Sequence, residues 1–112
     1  MRVPKRIAYS PLALSDLDAI WENVAAESGS IKVAGSVLDA IQDRVDLLGA
    51  FPLSGTPIES LYDIAPGYGL VSSKGYIAFY RVCADKVCVD RVLSARCDYL
   101  AVLFGDKGTF DM

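Results

Sequence analysis

Apolar residues recur along the first half of the chain at intervals of three and four. Leu14, Leu17, Ile20, Trp21 and Val24 line one helical stripe, and Asp16, Asp18 and Glu22 fall off it. Ser10 supplies a capping oxygen and Pro11 sits where its missing N–H costs nothing, so a first helix is expected from there to about Ser28, ended by Gly29. Ser30 can cap a second helix in which Val33, Val37, Leu38, Ile41, Val45 and Leu48 repeat the stripe as far as Gly49. A turn this short predicts antiparallel packing. Trp21 is expected in the core, and Asp39, Asp43 and Asp46 on a solvated face of the second helix.

Elsewhere the pattern changes period. Residues 3–9, with Val3, Ile7 and Tyr9 at odd positions, read as a short first strand. Phe51-Pro52-Leu53-Ser54-Gly55-Thr56-Pro57 cannot continue a helix and reads as a structured loop. Beyond Tyr68 the chain is β-branched and aromatic over 69–73, 76–83 and 87–93, broken at Lys74-Gly75 and Ala84-Asp85-Lys86. Connections so short predict an antiparallel three-stranded meander. Residues 98–104 are expected to form a short last helix, with Leu100 and Leu103 inward, and 106–112 a frayed tail to a domain of residues 1–105. The fold class is therefore α+β, in the order β-α-α-β-β-β with a short C-terminal helix: a helical hairpin packed on one face of a small antiparallel sheet. One helix pair covers one face, so the other face or its edge is expected to stay open.

Composition narrows the chemistry. The 112 residues are 53% apolar and 22% charged, which fits one folded domain and excludes disorder for all but the ends. Histidine is absent, which removes Ser-His-Asp and Cys-His pairs and imidazole metal sites; any catalysis falls to Lys, Arg, Tyr, Asp or Glu. No uncharged stretch approaches the ~20 residues of a membrane helix, and the basic start lacks a signal-peptide core, so no membrane association and a cytoplasmic address are expected. Cys83, Cys88 and Cys97 form no CxxC pair, so no metal and no cofactor is expected, and the thiols read as small apolar groups. Cys83 and Cys88 flank the last predicted turn and are placed to come close. No two acids fall on neighbouring strand positions in a cleft, so a paired-carboxylate hydrolase is not supported.

Four segments, in order, carry a resemblance: Ser10-Pro11 followed by Leu17-Asp18-Ala19-Ile20-Trp21; Phe51-Pro52-Leu53-Ser54-Gly55-Thr56-Pro57; Gly75-Tyr76-Ile77-Ala78-Phe79-Tyr80-Arg81-Val82; and Arg91-Val92-Leu93. Together they resemble the RelE/ParE toxins of bacterial type II toxin–antitoxin modules over residues 9–104, and the first two look more like the ParE branch. The resemblance implies an antitoxin whose C-terminal segment wraps the toxin. It also implies one of two targets: DNA gyrase for ParE-like members, or mRNA in the ribosomal A site for RelE-like members, which cleave it with Arg, Lys and Tyr side chains. Aligning Gly75-Tyr76 on the family's Gly-Tyr puts Ile77, Cys97 and Leu103 where the cleaving branch has Arg, Arg and Tyr.

The expected function is thus a ParE-like toxin that acts by binding protein rather than as an enzyme, with a cognate antitoxin as partner and gyrase as the implied target. Its expected partner-binding residues are Tyr76, Phe79, Tyr80, Arg81, Arg91 and Arg96. The enzymatic alternative is a metal-independent, ribosome-dependent endoribonuclease using Arg96 with Lys74, Arg81 or Tyr99, and a third reading is an inactive member that only binds its antitoxin and co-represses the operon. Residue by residue, plainer roles stand beside these: Arg81 and Arg91 as cross-strand partners of Asp85, Asp90 or Asp98, and Tyr76, Phe79 and Tyr80 as packing. With 14 acidic against 11 basic residues, the net charge of −3 predicts antitoxin binding led by apolar contact, with a weak salt dependence.

Overall fold

Both expected helices form where their caps place them. The structure, a computed structural model, describes residues 4–57 and 68–96. Helix α1 (Pro11–Ser28) starts with the Ser10 Oγ accepting from the Ala13 N–H at 3.0 Å and ends at Gly29, whose φ of 70° lets its N–H reach the Ala25 carbonyl at 2.8 Å. Helix α2 (Ile31–Ala50) is capped by Ser30, which accepts from the Val33 N–H, and stops at Phe51, the residue that Pro52 bars from helical geometry.

The strands are β1 (Arg6–Tyr9), β2 (Thr56–Pro57), β3 (Tyr68–Ser73), β4 (Tyr76–Val82) and β5 (Lys86–Ser94). They form one sheet in the order β1-β5-β4-β3-β2. The β3-β4-β5 meander is antiparallel as expected. Two features depart from the expected antiparallel sheet, read as three or four strands: β1 runs parallel to β5, with Ile7 opposite Val87, and the Pro-rich loop contributes β2, paired to β3 through Thr56 and Leu70. The β3–β4 turn is the two-residue Lys74-Gly75, with φ of 56° and 84°, the positive pair a tight hairpin requires.

The helical hairpin packs on one face of this sheet. Ala13, Leu17 and Ile20 from α1 and Ile41, Val45 and Leu48 from α2 meet Val71, Ala78, Tyr80, Val87, Val89 and Val92. Val89 and Val92 would point to opposite faces of a regular strand. A bulge at Asp90, which sets Phe79 opposite Arg91 and Tyr80 opposite Val89, turns both inward. At Gly49 the incoming chain crosses so closely that a Cβ there would stand 2.7 Å from the Lys5 carbonyl oxygen; in its absence the Lys5 N–H bonds the Gly49 carbonyl at 2.8 Å.

Three expectations are corrected by burial. Trp21 is 38% exposed and Leu14 more so, because α1 seats only the narrower Ala13, Leu17 and Ile20 edge of its apolar surface. On α2, Val33 is exposed while Ile41, Val45 and Leu48 are buried. The face opposite the helices is not open at its centre: Phe79 is 1% exposed and buried with Ile77, and Tyr68, Leu70 and Leu93 pack against them. Val3, the expected helix at 98–104 and the tail at 106–112 lie outside the described residues, as do Cys97, Asp98, Tyr99 and Leu103.

Candidate partner-binding surface

Two arginines of the meander are held by acids. Asp90, the bulged residue, takes Arg81 through Nε at 3.0 Å and Nη2 at 3.3 Å, and the Arg81 guanidinium lies 5.9 Å from the Tyr68 ring centroid. The hydrogen bond and the charge of Asp90 raise the Arg81 pKa above its ordinary value, so it stays cationic. Arg91 donates to Asp16 of α1 through Nε at 2.7 Å and Nη2 at 2.8 Å. Arg91, read from the sequence as a cross-strand partner of Asp85, Asp90 or Asp98, thus has an acid of the helix as a bidentate partner. Asp16 Oδ2 also accepts the Val92 N–H at 2.9 Å. The reason is local: β1 gives up its pairing with β5 at Tyr9, and beyond it Ser10 and Asp16 take over the β5 edge. The Ser10 N–H bonds the Val89 carbonyl and its Oγ donates to the Asp90 carbonyl at 2.8 Å.

Lys74 and Arg96 stand at the far end of the sheet, where the Ala95 N–H bonds the Gly75 carbonyl at 2.9 Å. Arg81 lies five residues further along β4 than Tyr76, on the order of 17 Å away. The structure therefore brings Lys74 and Arg96 to one end and leaves Arg81 at the other, engaged with Asp90. Tyr99, the fourth residue of the enzymatic alternative, is outside the described residues. Among the described residues no cluster of His, Cys, Asp and Glu could hold a metal ion, and no helix is long and apolar enough to cross a membrane.

Of the aromatic candidates, Phe79 and Tyr80 are buried and Tyr76 is half-buried at the core margin. Tyr80 lies against two glycines; a Cβ on Gly69 would stand 2.5 Å from its ring, and Gly55 is equally closed to a side chain. Burial raises the Tyr80 phenol above its ordinary value, opposed in part by the Arg44 charge.

Accessible apolar side chains lie instead on the helices, at Leu12, Leu14, Trp21, Ile31 and Val33, and at the end of α2 and the loop after it, regions outside the reading of Tyr76, Phe79 and Tyr80. Leu53 is 93% exposed, Phe51 62%, and Leu47 and Val82 are also exposed. The loop is held in shape: Arg44 donates to the Ser54 carbonyl at 3.1 Å and to its Oγ at 3.4 Å, and the Ser54 N–H bonds the Phe51 carbonyl at 3.0 Å. Two adjoining hollows share Pro52 and Leu53. One, of about 240 Å³, is lined by Pro57, Tyr68, Tyr80 and Val82, and the other, of about 420 Å³, by Ala50, Phe51 and Ser54. The signal in the sequence was the loop's own content, a Phe and a Leu among prolines and a glycine.

A two-helix hairpin on one face of a mixed five-stranded sheet is a fold shared with solved toxin–antitoxin structures. The chain matches, with a TM-score of 0.68 at 21% identity, a structure described as the chromosomal ParDE TA system from P. aeruginosa, over 80% of this chain and 95% of that one. It matches the toxin–antitoxin complex RelBE2 from Mycobacterium tuberculosis with a TM-score of 0.56 at 18% identity, over 84% and 94%. The profile of the family described as "ParE toxin of type II toxin-antitoxin system, parDE" matches residues 7–99. Toxin ParE3 of Caulobacter vibrioides is 33% identical over 92 residues, which are 82% of this chain and 87% of that protein. The chain belongs to the ParE toxin family of type II toxin–antitoxin systems.

Proposed function

We propose that this ParE-family toxin acts in the cytoplasm by gripping other polypeptides: a cognate antitoxin, whose apolar C-terminal segment neutralises it, and DNA gyrase as its target. One observation carries the reading. The arginines at the centre of the meander are engaged by Asp90 and Asp16, whereas Phe51, Leu53 and Val82 present apolar surface around two hollows. Cleaving a phosphodiester by 2′-hydroxyl attack needs a base, an acid and converging positive charge; holding an amphipathic segment needs an accessible apolar groove. The described residues supply the second better than the first.

Expression of the chain alone in bacteria tests the target. Filamentation with induction of the DNA-damage response, together with loss of supercoiling by purified gyrase, is the expected result; normal growth would mark an inert, antitoxin-binding member. The juxtaposition of Lys74 and Arg96 favours one competing reading, RNA cleavage, and Arg96→Ala addresses it. If the chain arrests a translation extract and this substitution abolishes mRNA cleavage there, the protein-binding reading is wrong. The antitoxin contact has its own measurement. With a net charge of −3 and an apolar groove, affinity for the antitoxin should change little across a salt series, and a steep loss with salt would refute apolar docking.

A further inference from the structure

The hairpin joining β4 to β5 carries two thiols that no part of the proposed activity uses. Arg81 lies opposite Cys88 and Val82 opposite Val87, and the Cys83 N–H bonds the Lys86 carbonyl at 2.8 Å, which closes the ladder around the turn. Cys83 follows Arg81 by two residues and so shares its side of the strand, which makes Cys83 and Cys88 diagonal neighbours on one face. Their Sγ atoms are 3.4 Å apart, both thiols are free, and both residues are half-buried. The turn is also held from outside, because the Lys5 Nζ donates to the carbonyls of Ala84 at 2.7 Å and Cys83 at 3.4 Å.

We propose that Cys83 and Cys88 are a reversible modification site: a dithiol that closes to an intrachain disulfide when it meets a small-molecule disulfide of the glutathione class. The sulfurs need to approach from 3.4 Å to about 2.05 Å, across a turn whose ends the bond from the Cys83 N–H to the Lys86 carbonyl already holds together. In the first step one cysteine thiolate attacks the small disulfide, forms a mixed disulfide and releases one small thiolate. The second cysteine, having lost its proton, then attacks the mixed disulfide and expels the other. Two protein thiols are oxidised, one small disulfide is reduced to two thiols, and the two protons leave on those thiols. The contact with Cys83, followed by burial, raises the Cys88 pKa above its ordinary value, so the exchange quickens as pH rises. A reducing poise reopens the pair, which makes it a switchable modification rather than a permanent staple.

The test uses the full chain in buffers of varied reduced-to-oxidised glutathione ratio, quenched with acid, alkylated and digested with trypsin. Cleavage after Arg81, Lys86 and Arg91 puts Cys83 on peptide 82–86 and Cys88 on peptide 87–91, and cleavage after Arg96 leaves Cys97 on a third. Under oxidising ratios peptides 82–86 and 87–91 should travel as one species, two hydrogens lighter than their sum, and separate with dithiothreitol. In Cys83→Ser that species should vanish and a glutathione adduct on Cys88 should replace it. Recovery of both peptides as alkylated thiols at every ratio, or joined only to glutathione or to Cys97, would overturn the proposal.

Discussion

Tyr9 ends β1 with its ring against the core, and among the described residues its buried hydroxyl meets no hydrogen-bond partner. Burial, and after it the negative charge of Asp46, pushes the phenol from 10.0 up to about 12. Between these values the folded chain keeps a proton that the unfolded chain has lost. The stability this phenol contributes is therefore intact below pH 10 and is lost as pH climbs toward about 12, and Tyr80, also raised by burial, adds to the same slope. Tyr9→Phe removes the orphaned oxygen and keeps the ring. It should raise stability at neutral pH by about 1 kcal/mol and make the alkaline loss shallower, read as urea midpoints at a series of pH values. A drop in the neutral midpoint would mean that the hydroxyl is satisfied after all.

At the scale of elements, α1 is anchored where β1 leaves β5. Asp16 satisfies the Arg91 guanidinium and the Val92 N–H together, and the side chains of the ion pair are only 22% and 13% exposed. Asp16→Ala removes the bidentate acceptor of Arg91 and the acceptor of the Val92 N–H, so it should cost about 2–3 kcal/mol. Arg81→Ala breaks a pair that is 46% and 26% exposed and should cost less than about 1 kcal/mol. Thermal denaturation of the two variants should show the first well below the second; equal losses would mean that the Asp16 contacts are dispensable. Much at this scale was legible beforehand. Ser10, Pro11, Gly29 and Ser30 carry local chemistry, and they marked the helix ends. The parallel β1–β5 pair was not legible, because its register joins residues 80 apart and leaves no local trace. The bulge did leave one: apolar residues at 87, 89 and then 92 slip the two-residue period by one. Leu14 and Trp21 misled because the apolar surface of α1 is wider than the face the sheet accepts. For the candidate site, Tyr76, Phe79 and Tyr80 were conspicuous as aromatics in a strand, but burial decides accessibility, and burial depends on the bulge and on glycines 55 and 69.

Across the whole molecule, among the described residues, the exposed Leu53 and Phe51 lie apart from the Arg91–Asp16 ion pair, whereas Arg81 borders one hollow through Val82 and the Tyr68 ring. Leu47 and Phe51 are four residues apart at the end of α2, where the Phe51 N–H still bonds the Leu47 carbonyl at 2.8 Å, and Leu53 extends the same surface into the loop. A pinned loop that holds a leucine 93% in solvent gains nothing for the isolated fold from that side chain. Fold stability and partner affinity should therefore separate on mutation. Leu53→Ser and Phe51→Ser should each change the denaturation midpoint by no more than about 0.5 kcal/mol, as expected for surface positions. Each should nevertheless weaken antitoxin binding by about tenfold or more, in the way a hot-spot side chain at the centre of an interface does. Arg81→Ala gives the contrast: its charge is already engaged by Asp90, so its removal should leave affinity and its salt dependence nearly unchanged. Titration calorimetry of the three variants against the antitoxin decides between the two surfaces. If Arg81→Ala weakens binding more than the loop substitutions do, the antitoxin grips the meander, and the exposed loop belongs to the target instead.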